Sequence, residues 1–352
     1  MPTTYAIPDG RKHFDVQLST PVAGGMTFSG MQFKPDLLWR KARNNAESHY
    51  IADSNRGTTV FLSSNLTTAE LGYQGSDGSL TFNADGYTIT DSNYNSGEFY
   101  FNGRIYVDWL WKAGGTAVSN TAGSITSSVS ANTTAGFSVV TYTGNDTTGA
   151  TVGHGLGVAP SMIIVKERSQ VRDWSVYHIS TGNTGGLRLN GTGANETTRT
   201  GWWNNTTPSS TVITLGGSTG NDWYQTNQTG NTYVAYCFAP VAGYSAFGSY
   251  TGNGSTDGPF IYTGMRSRYI MVKRTDAIGD WYVFDTSRDP YNATTYGLIP
   301  NSSGTDTSYT GWGDILSNGF KIRRTDGAWN ASGGTYIYAA FAENPTKFAN
   351  AR

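Results

Sequence analysis

Asp53-Ser54-Asn55-Arg56 and Asp285-Thr286-Ser287-Arg288 each place an acid three residues before an arginine, directly after a strand-like run. A carboxylate and a guanidinium at that spacing close a turn through charge-assisted hydrogen bonds. Recurrence at the same place in two copies makes Asp53, Arg56, Asp285 and Arg288 structural clamps rather than catalytic pairs. Lys41, Lys166 and Lys273 each end an apolar run and read as strand-end cations with stems packed on a sheet. None of the four histidines has a partner at metal-ligand spacing. His49 stands where Trp174 and Trp281 stand in the other copies, a substituted core position. His178 aligns with Asp53 and Asp285 and fits a strand-end hydrogen-bonding role. The single cysteine, Cys237, lies in an apolar run and reads as a buried, inert thiol. No GxSxG nucleophile elbow, P-loop or HExxH motif is read in the chain. No catalytic residue, metal ligand or cofactor is therefore assigned, and the chain is expected not to be an enzyme. Glycoside cleavage needs only two carboxylates close in space. Asp173, Glu196 and Asp222, or Asp276, Asp280, Asp314 and Asp326, are the sets that could meet, which keeps a polysaccharide depolymerase as a minor alternative.

Aromatic residues are the stronger lead. Trp109, Trp111, Trp174, Trp281 and Phe238 fall on strand patterns and read as core. Trp202, Trp203, Trp223, Trp312 and Trp329 fall in polar connections among Asn, Thr and Gly. Rings beside amides and hydroxyls, such as Asn204 and Asn205, stack on sugars or anchor protein interfaces. The same rings could instead plug the loops against their own cores. Asn-x-Ser/Thr triplets, among them Asn195, Asn227, Asn253 and Asn330, follow from the composition and are not read as glycosylation sites.

The elements that must position these residues come in three copies. Apolar runs end at Lys41, Lys166 and Lys273, and closing runs begin at Tyr106, Tyr233 and Tyr336, giving separations of 65, 67 and 63 residues. Such spacing marks a duplicated unit. Phe137–Tyr142 and Ala246–Tyr250 alternate at period two before a Thr-Gly-Asn turn, and Asp173–His178 and Asp280–Asp285 alternate again. The series predicts an all-β chain of three tandem β-sandwich, jelly-roll-like repeats over 14–113, 137–240 and 247–345. Residues 1–13 and 346–352 read as short tails, and 114–136, rich in Ser, Thr, Gly and Ala, as a linker. The second and third repeats are expected to touch, with the first set apart. Tryptophans occur in the connections of the second and third repeats only. That predicts a division of labour, with the first repeat nearer its anchor and the other two facing a partner.

Charged residues make up only 14% of the 352, against about 25% in ordinary soluble proteins. A net charge of −1 gives no basic footprint for nucleic acid. There is no apolar signal segment near Met1, and no run long enough to span a membrane.

Gly153-His154-Gly155-Leu156-Gly157-Val158-Ala159-Pro160-Ser161 and the Met162–Lys166 run after it resemble a segment common in structural proteins of tailed bacteriophages, especially those of marine and cyanobacterial hosts. So do Asn231–Ala239, Gly248–Gly254 and Phe341-Ala342-Glu343-Asn344-Pro345. The resemblance covers about residues 33–350. It implies a virion component of tail-fibre or surface-appendage type, located on the particle surface or tail, and it supplies no catalytic residues. Its expected partners are other virion proteins and a host-surface polysaccharide or protein, with homotrimerisation possible because fibres of this type are commonly trimeric. Only about thirteen residues precede the first repeat, where such fibres often carry a long adaptor. That raises a capsid decoration, cement or tail-assembly role as the alternative.

Overall fold

Alternating residues in each repeat produce a large antiparallel sheet of six, seven and four strands in turn, in which four strands keep one order. The computed structural model describes residues 7–343 apart from 23, 73–78, 91–100 and 102. The predicted tail 346–352 and the first six residues of tail 1–13 lie outside the described residues. In the first repeat the sheet runs Phe14–Ser19, Tyr106–Trp111, Leu37–Ala42, Tyr50–Asp53. In the second the order is Phe137–Thr143, Thr232–Phe238, Met162–Glu167, Trp174–His178, and in the third Ser245–Thr251, Thr335–Ala342, Ser267–Arg274, Trp281–Asp285. A smaller antiparallel sheet accompanies each: Met26–Phe28 with Gly86–Thr90 and Ser79–Asn83, Thr151–Gly153 with Val212–Thr214, and four short strands between Phe260 and Ile322. The chain is an all-β protein of sandwich type.

The predicted linker is structured. Val118–Asn120 and Ser127–Asn132 are strands that extend the second large sheet beyond Phe137–Thr143. Small hydroxyl residues satisfied the composition of a linker, yet their backbones pair, and Ser127, Val129 and Ser130 are buried.

The first repeat is not set apart. Each large sheet is buried on both faces, as its near-continuous apolar central strand requires. One face of the second sheet, with Ile163, Val165, Tyr233 and Ala235, packs under its own outer layer. The other, with Met162, Ile164, Tyr236 and Phe238, joins a core shared by all three repeats. Trp111, Phe238 and Phe341 occupy the same position in the three closing strands. Their rings form a triangle with centroids 6.2, 5.6 and 5.7 Å apart, all edge-to-face. A closed ring of three sheets around this triangle is the architecture. Beside it, Ala339 stands where Trp109 and Tyr236 stand, and a small apolar cavity of about 20 Å³ lies against it.

The recurring Tyr-Thr-Gly-Asn turn is scaffold. Tyr142 and Tyr250 donate to the carbonyls of Thr226 and Trp329 at 2.7 and 3.0 Å. Asn145 N and Asn253 N donate to the buried Asn227 and Asn330 side chains at 2.9 and 2.8 Å. A Cβ on Gly144 would fall 2.3 Å from a carbonyl oxygen, which reserves that place for glycine.

Candidate functional site

Four of the five loop tryptophans are core, correcting the expectation that they face a partner. Trp202, Trp203, Trp312 and Trp329 are each at most 1% exposed. Trp202 and Trp203 sit on a single helical turn, Thr200–Trp203, which tucks both rings into the second sandwich. Gly186 admits Trp202, since a Cβ there would lie 2.3 Å from the indole. Trp312 stacks on Phe284 at 3.8 Å, and Trp329 packs edge-on against Tyr282 and Tyr309, both at 4.8 Å. Trp223 is half-buried beside Tyr224. Asn204 and Asn205 hold left-handed turns after the helix, φ 48° and 50°, and only Asn205 is exposed. Trp312 lies not in a loop but in the strand Thr307–Leu316, and polar neighbours in sequence said nothing of the direction each ring takes.

The carboxylates expected to meet in the second repeat do meet, through arginines. Arg188 contacts Asp173 (2.8 Å), Glu196 and Asp222 (3.6 Å), while Arg199 bridges Glu196 and Asp222. Asp173 also accepts from Asn190 at 2.7 Å, as Asp280 accepts from Asn301 at 2.6 Å in the third repeat. Asn190 and Asn301 in turn receive the backbone N–H groups of Trp174 and Trp281. Both acids therefore belong to a repeated strand clamp. In the third repeat, Asp276, Asp314 and Asp326 each pair with an arginine of their own, Arg274, Arg323 and Arg324. No group of three or more acidic, His or Cys residues among the described residues could hold a metal ion.

The repeated polar residues build the seams between repeats, and the ring N–H bonds do so in a closed cycle. Trp174 Nε1 donates to Ser63 O of the first repeat (2.9 Å), and Trp281 Nε1 to Arg188 O of the second (2.9 Å). His49, which accepts from Trp39 Nε1 on Nδ1, lies with Nε2 3.0 Å from Ile299 O of the third. The histidine thus replaces an indole and keeps its N–H; burial depresses its pKa to about 3 and holds it neutral. Lys41, Lys166 and Lys273 are fully buried rather than snorkelled. Each donates to the carbonyl of the following residue at 2.7–2.8 Å, and Lys166 and Lys273 reach carbonyls of the neighbouring repeat. Burial lowers all three to about 8.

The Asp–Arg clamps receive a donor from the next repeat. Asp53 Oδ2 accepts from Arg56 Nε (2.5 Å) and from Tyr236 OH of the second repeat (2.8 Å). Asp285 Oδ2 accepts from Arg288 Nε (2.6 Å) and from Trp109 Nε1 of the first (3.1 Å). At the third seam Ala339 stands in the donor's place and offers no side-chain donor, and His178 stands in the acid's. Its Nδ1 accepts Ser180 N–H (3.1 Å), so Nε2 carries the proton toward Tyr338 O, 3.2 Å away. Where the neighbour lost its donor, the acceptor was replaced by a donor. Burial takes His178 down to about 4.

Beyond the clamps, Arg56 and Arg168 both hold Glu70 (2.7 Å each) across the first–second seam. Arg288 and Arg43 both hold Asp306 (2.6 Å each) across the third–first seam. The matching trio at the second–third seam is Thr181, Asn195 and Thr275. The backbone bond common to all three seams persists: Glu70 N to Arg168 O, Asp306 N to Arg43 O and Asn195 N to Thr275 O, at 2.8, 2.7 and 2.8 Å. An open groove of about 380 Å³ lies there. A second polar groove, about 360 Å³, runs along Ser119, Ser128, Thr141 and Thr143 to Arg168.

One family model, described as a domain of unknown function (DUF7483), matches residues 9–345. The chain belongs to that family. The match runs through all three sheets, as the shared core does. No curated protein and no solved structure matches the chain.

Proposed function

We propose that this chain is a non-enzymatic surface component of a tailed-bacteriophage particle, of tail-fibre or appendage type, that contacts the host envelope through the outer sheet of its third repeat. The reading joins the motif resemblance to one observation. Among the described residues, the exposed aromatic side chains are Phe260, Tyr262, Tyr291 and Tyr296, at 44, 68, 80 and 41%, and all four belong to the third repeat. Phe260 and Tyr262 point outward from one short strand while Ile261 between them faces the core. Phe260 lies opposite Lys321, which lies opposite Asp314. Lys321 pairs with Asp257 (2.7 Å) and Arg323 with Asp314 (2.6 Å). Exposed rings beside hydrogen-bonding groups suit the faces and hydroxyls of a surface polysaccharide. The buried tryptophans leave this contact to other rings.

The test is adsorption. Purified protein should bind cells of the host and compete with the particle, and Phe260→Ala/Tyr262→Ala should weaken binding at least tenfold without lowering the melting temperature. Binding to bare capsids and not to cells would replace attachment by decoration.

A further inference from the structure

The three seams share the backbone bond and the ring N–H bond, so their differences isolate what each seam adds. Two add an Arg–carboxylate–Arg bridge, and Arg56 and Arg288 within those bridges have fully buried side chains. The third replaces two long cations and an anion by two threonines and an asparagine. No ion pair joins the second and third repeats among the described residues, whereas Arg168–Glu70 and Arg43–Asp306 cross the other two seams. Beside Thr181, Asn195 and Thr275 lies an open groove of about 380 Å³, within the range of small-molecule sites of about 300–1,000 Å³.

The lining defines the ligand chemistry. Ser180, Thr181, Thr197, Thr275 and Thr335 bring hydroxyls, Asn195 an amide and Asp276 a carboxylate, and no cation lines the groove. Hydroxyls that both donate and accept match a ligand made of hydroxyls that do the same. The lining has no lysine or arginine and its one carboxylate is already paired with Arg274, so it offers no cation to phosphate, sulfate or uronate groups. Thr275 and Thr335 already bond to each other through their hydroxyls (2.8 Å), and Asp276 accepts Thr335 N–H (3.0 Å). The wall from the third repeat is therefore pre-ordered, which limits the entropy lost on binding.

We propose that the second–third seam is a binding groove for a neutral saccharide, formed by Thr181 and Asn195 on one side and Thr275, Asp276 and Thr335 on the other. The choice of a sugar over other neutral polyols rests on the attachment reading above; the groove itself rests on the comparison of seams.

Isothermal titration and saturation-transfer NMR on the full chain, using neutral gluco-, galacto- and manno-oligosaccharides with sulfated and uronate counterparts as probes, test it. At least one neutral oligosaccharide should bind, and acidic counterparts should bind at least tenfold more weakly. Thr181→Arg/Asn195→Glu/Thr275→Arg rebuilds the bridge found at the other seams and should abolish binding while keeping or raising the melting temperature. Should that variant fail to fold, Thr335→Ala is the second arm, with an expected three- to tenfold loss. Val118→Ala, exposed at the edge of the second large sheet, should leave this binding unchanged. Binding that survives the rebuilt bridge, or a preference for acidic sugars, overturns the groove. So does an absence of binding to any neutral probe, even where the protein still adsorbs to cells. Loss of adsorption in Phe260→Ala/Tyr262→Ala with oligosaccharide binding intact separates the two sites.

Discussion

The first–second and second–third seams start from the same residues and end as different surfaces. Both dock a tryptophan of the later repeat on a carbonyl of the earlier one, and both share the backbone bond to the residue two after the lysine. The first–second seam then locks with Glu70 between Arg56 and Arg168, and Tyr236 reaches Asp53. The second–third seam has Asn195 between two threonines and His178 facing a backbone carbonyl. Packing and the backbone bond are common to both seams; the charged bridge is what the second–third seam lacks. Duplication with divergence can thus turn a structural position into a recognition position without moving the backbone.

The largest expected effect tests what the seams share. Trp174→Ala and Trp281→Ala should each lower stability by about 3–5 kcal/mol, the range for removing a fully buried large ring. Comparable losses in urea titrations support a common foundation, and a much smaller loss for Trp281 would break it. Next comes what differs. Glu70→Gln removes the anion from between two arginines, one fully buried, and should lower stability by about 3 kcal/mol, as breaking a buried ion pair does. Asn195→Ala, at the matching place, should lower it by about 1 kcal/mol or less. Near-equal values for the two would erase the distinction.

The smallest effect is one of pH. His49 and His178 titrate near 3 and 4 in the folded chain and near 6.5 when unfolded. Below pH 6.5 the unfolded state takes up protons that the folded state refuses, so stability falls as pH drops through the window from 6.5 to about 4. Between pH 7 and 6 each histidine should remove about 0.5–1 kcal/mol. His178→Asn should flatten the slope by one proton, measured as the change in urea midpoint with pH.

Much of the fold was legible. The Lys-terminated runs, the clamp spacing at Asp53 and Asp285, and the alignment of His49 with Trp174 and Trp281 were visible as recurring positions, because period and position are local properties; the full burial of the lysines was not. The shared core was not read, although its signal was present. Met162–Lys166 is apolar on both faces, and a half-exposed sandwich would have needed only one. The substitution of Asp by His at 178 was equally visible, but its meaning lies in Ala339, 161 residues away, and needs the neighbouring repeat. Ser127 and its neighbours looked like linker because hydroxyl side chains hide how well their backbones pair. The tryptophans misled for the opposite reason: loop neighbours describe where the chain runs, not which way Trp202 points. The groove could not be read at all, since it exists only where three distant residues fail to fill a space.

The aromatic triangle of Trp111, Phe238 and Phe341 carries one more consequence. In a homotrimer the three corners would come from one codon, and any change would appear three times at once. Here each corner is encoded separately, so a single chain keeps threefold geometry while each sector drifts on its own. Such a chain carries one groove and one aromatic face, where a trimer of the same size would carry three. On the attachment proposed above, grip on a repetitive cell surface would come from the number of copies, and the strength of each contact could change independently of that number.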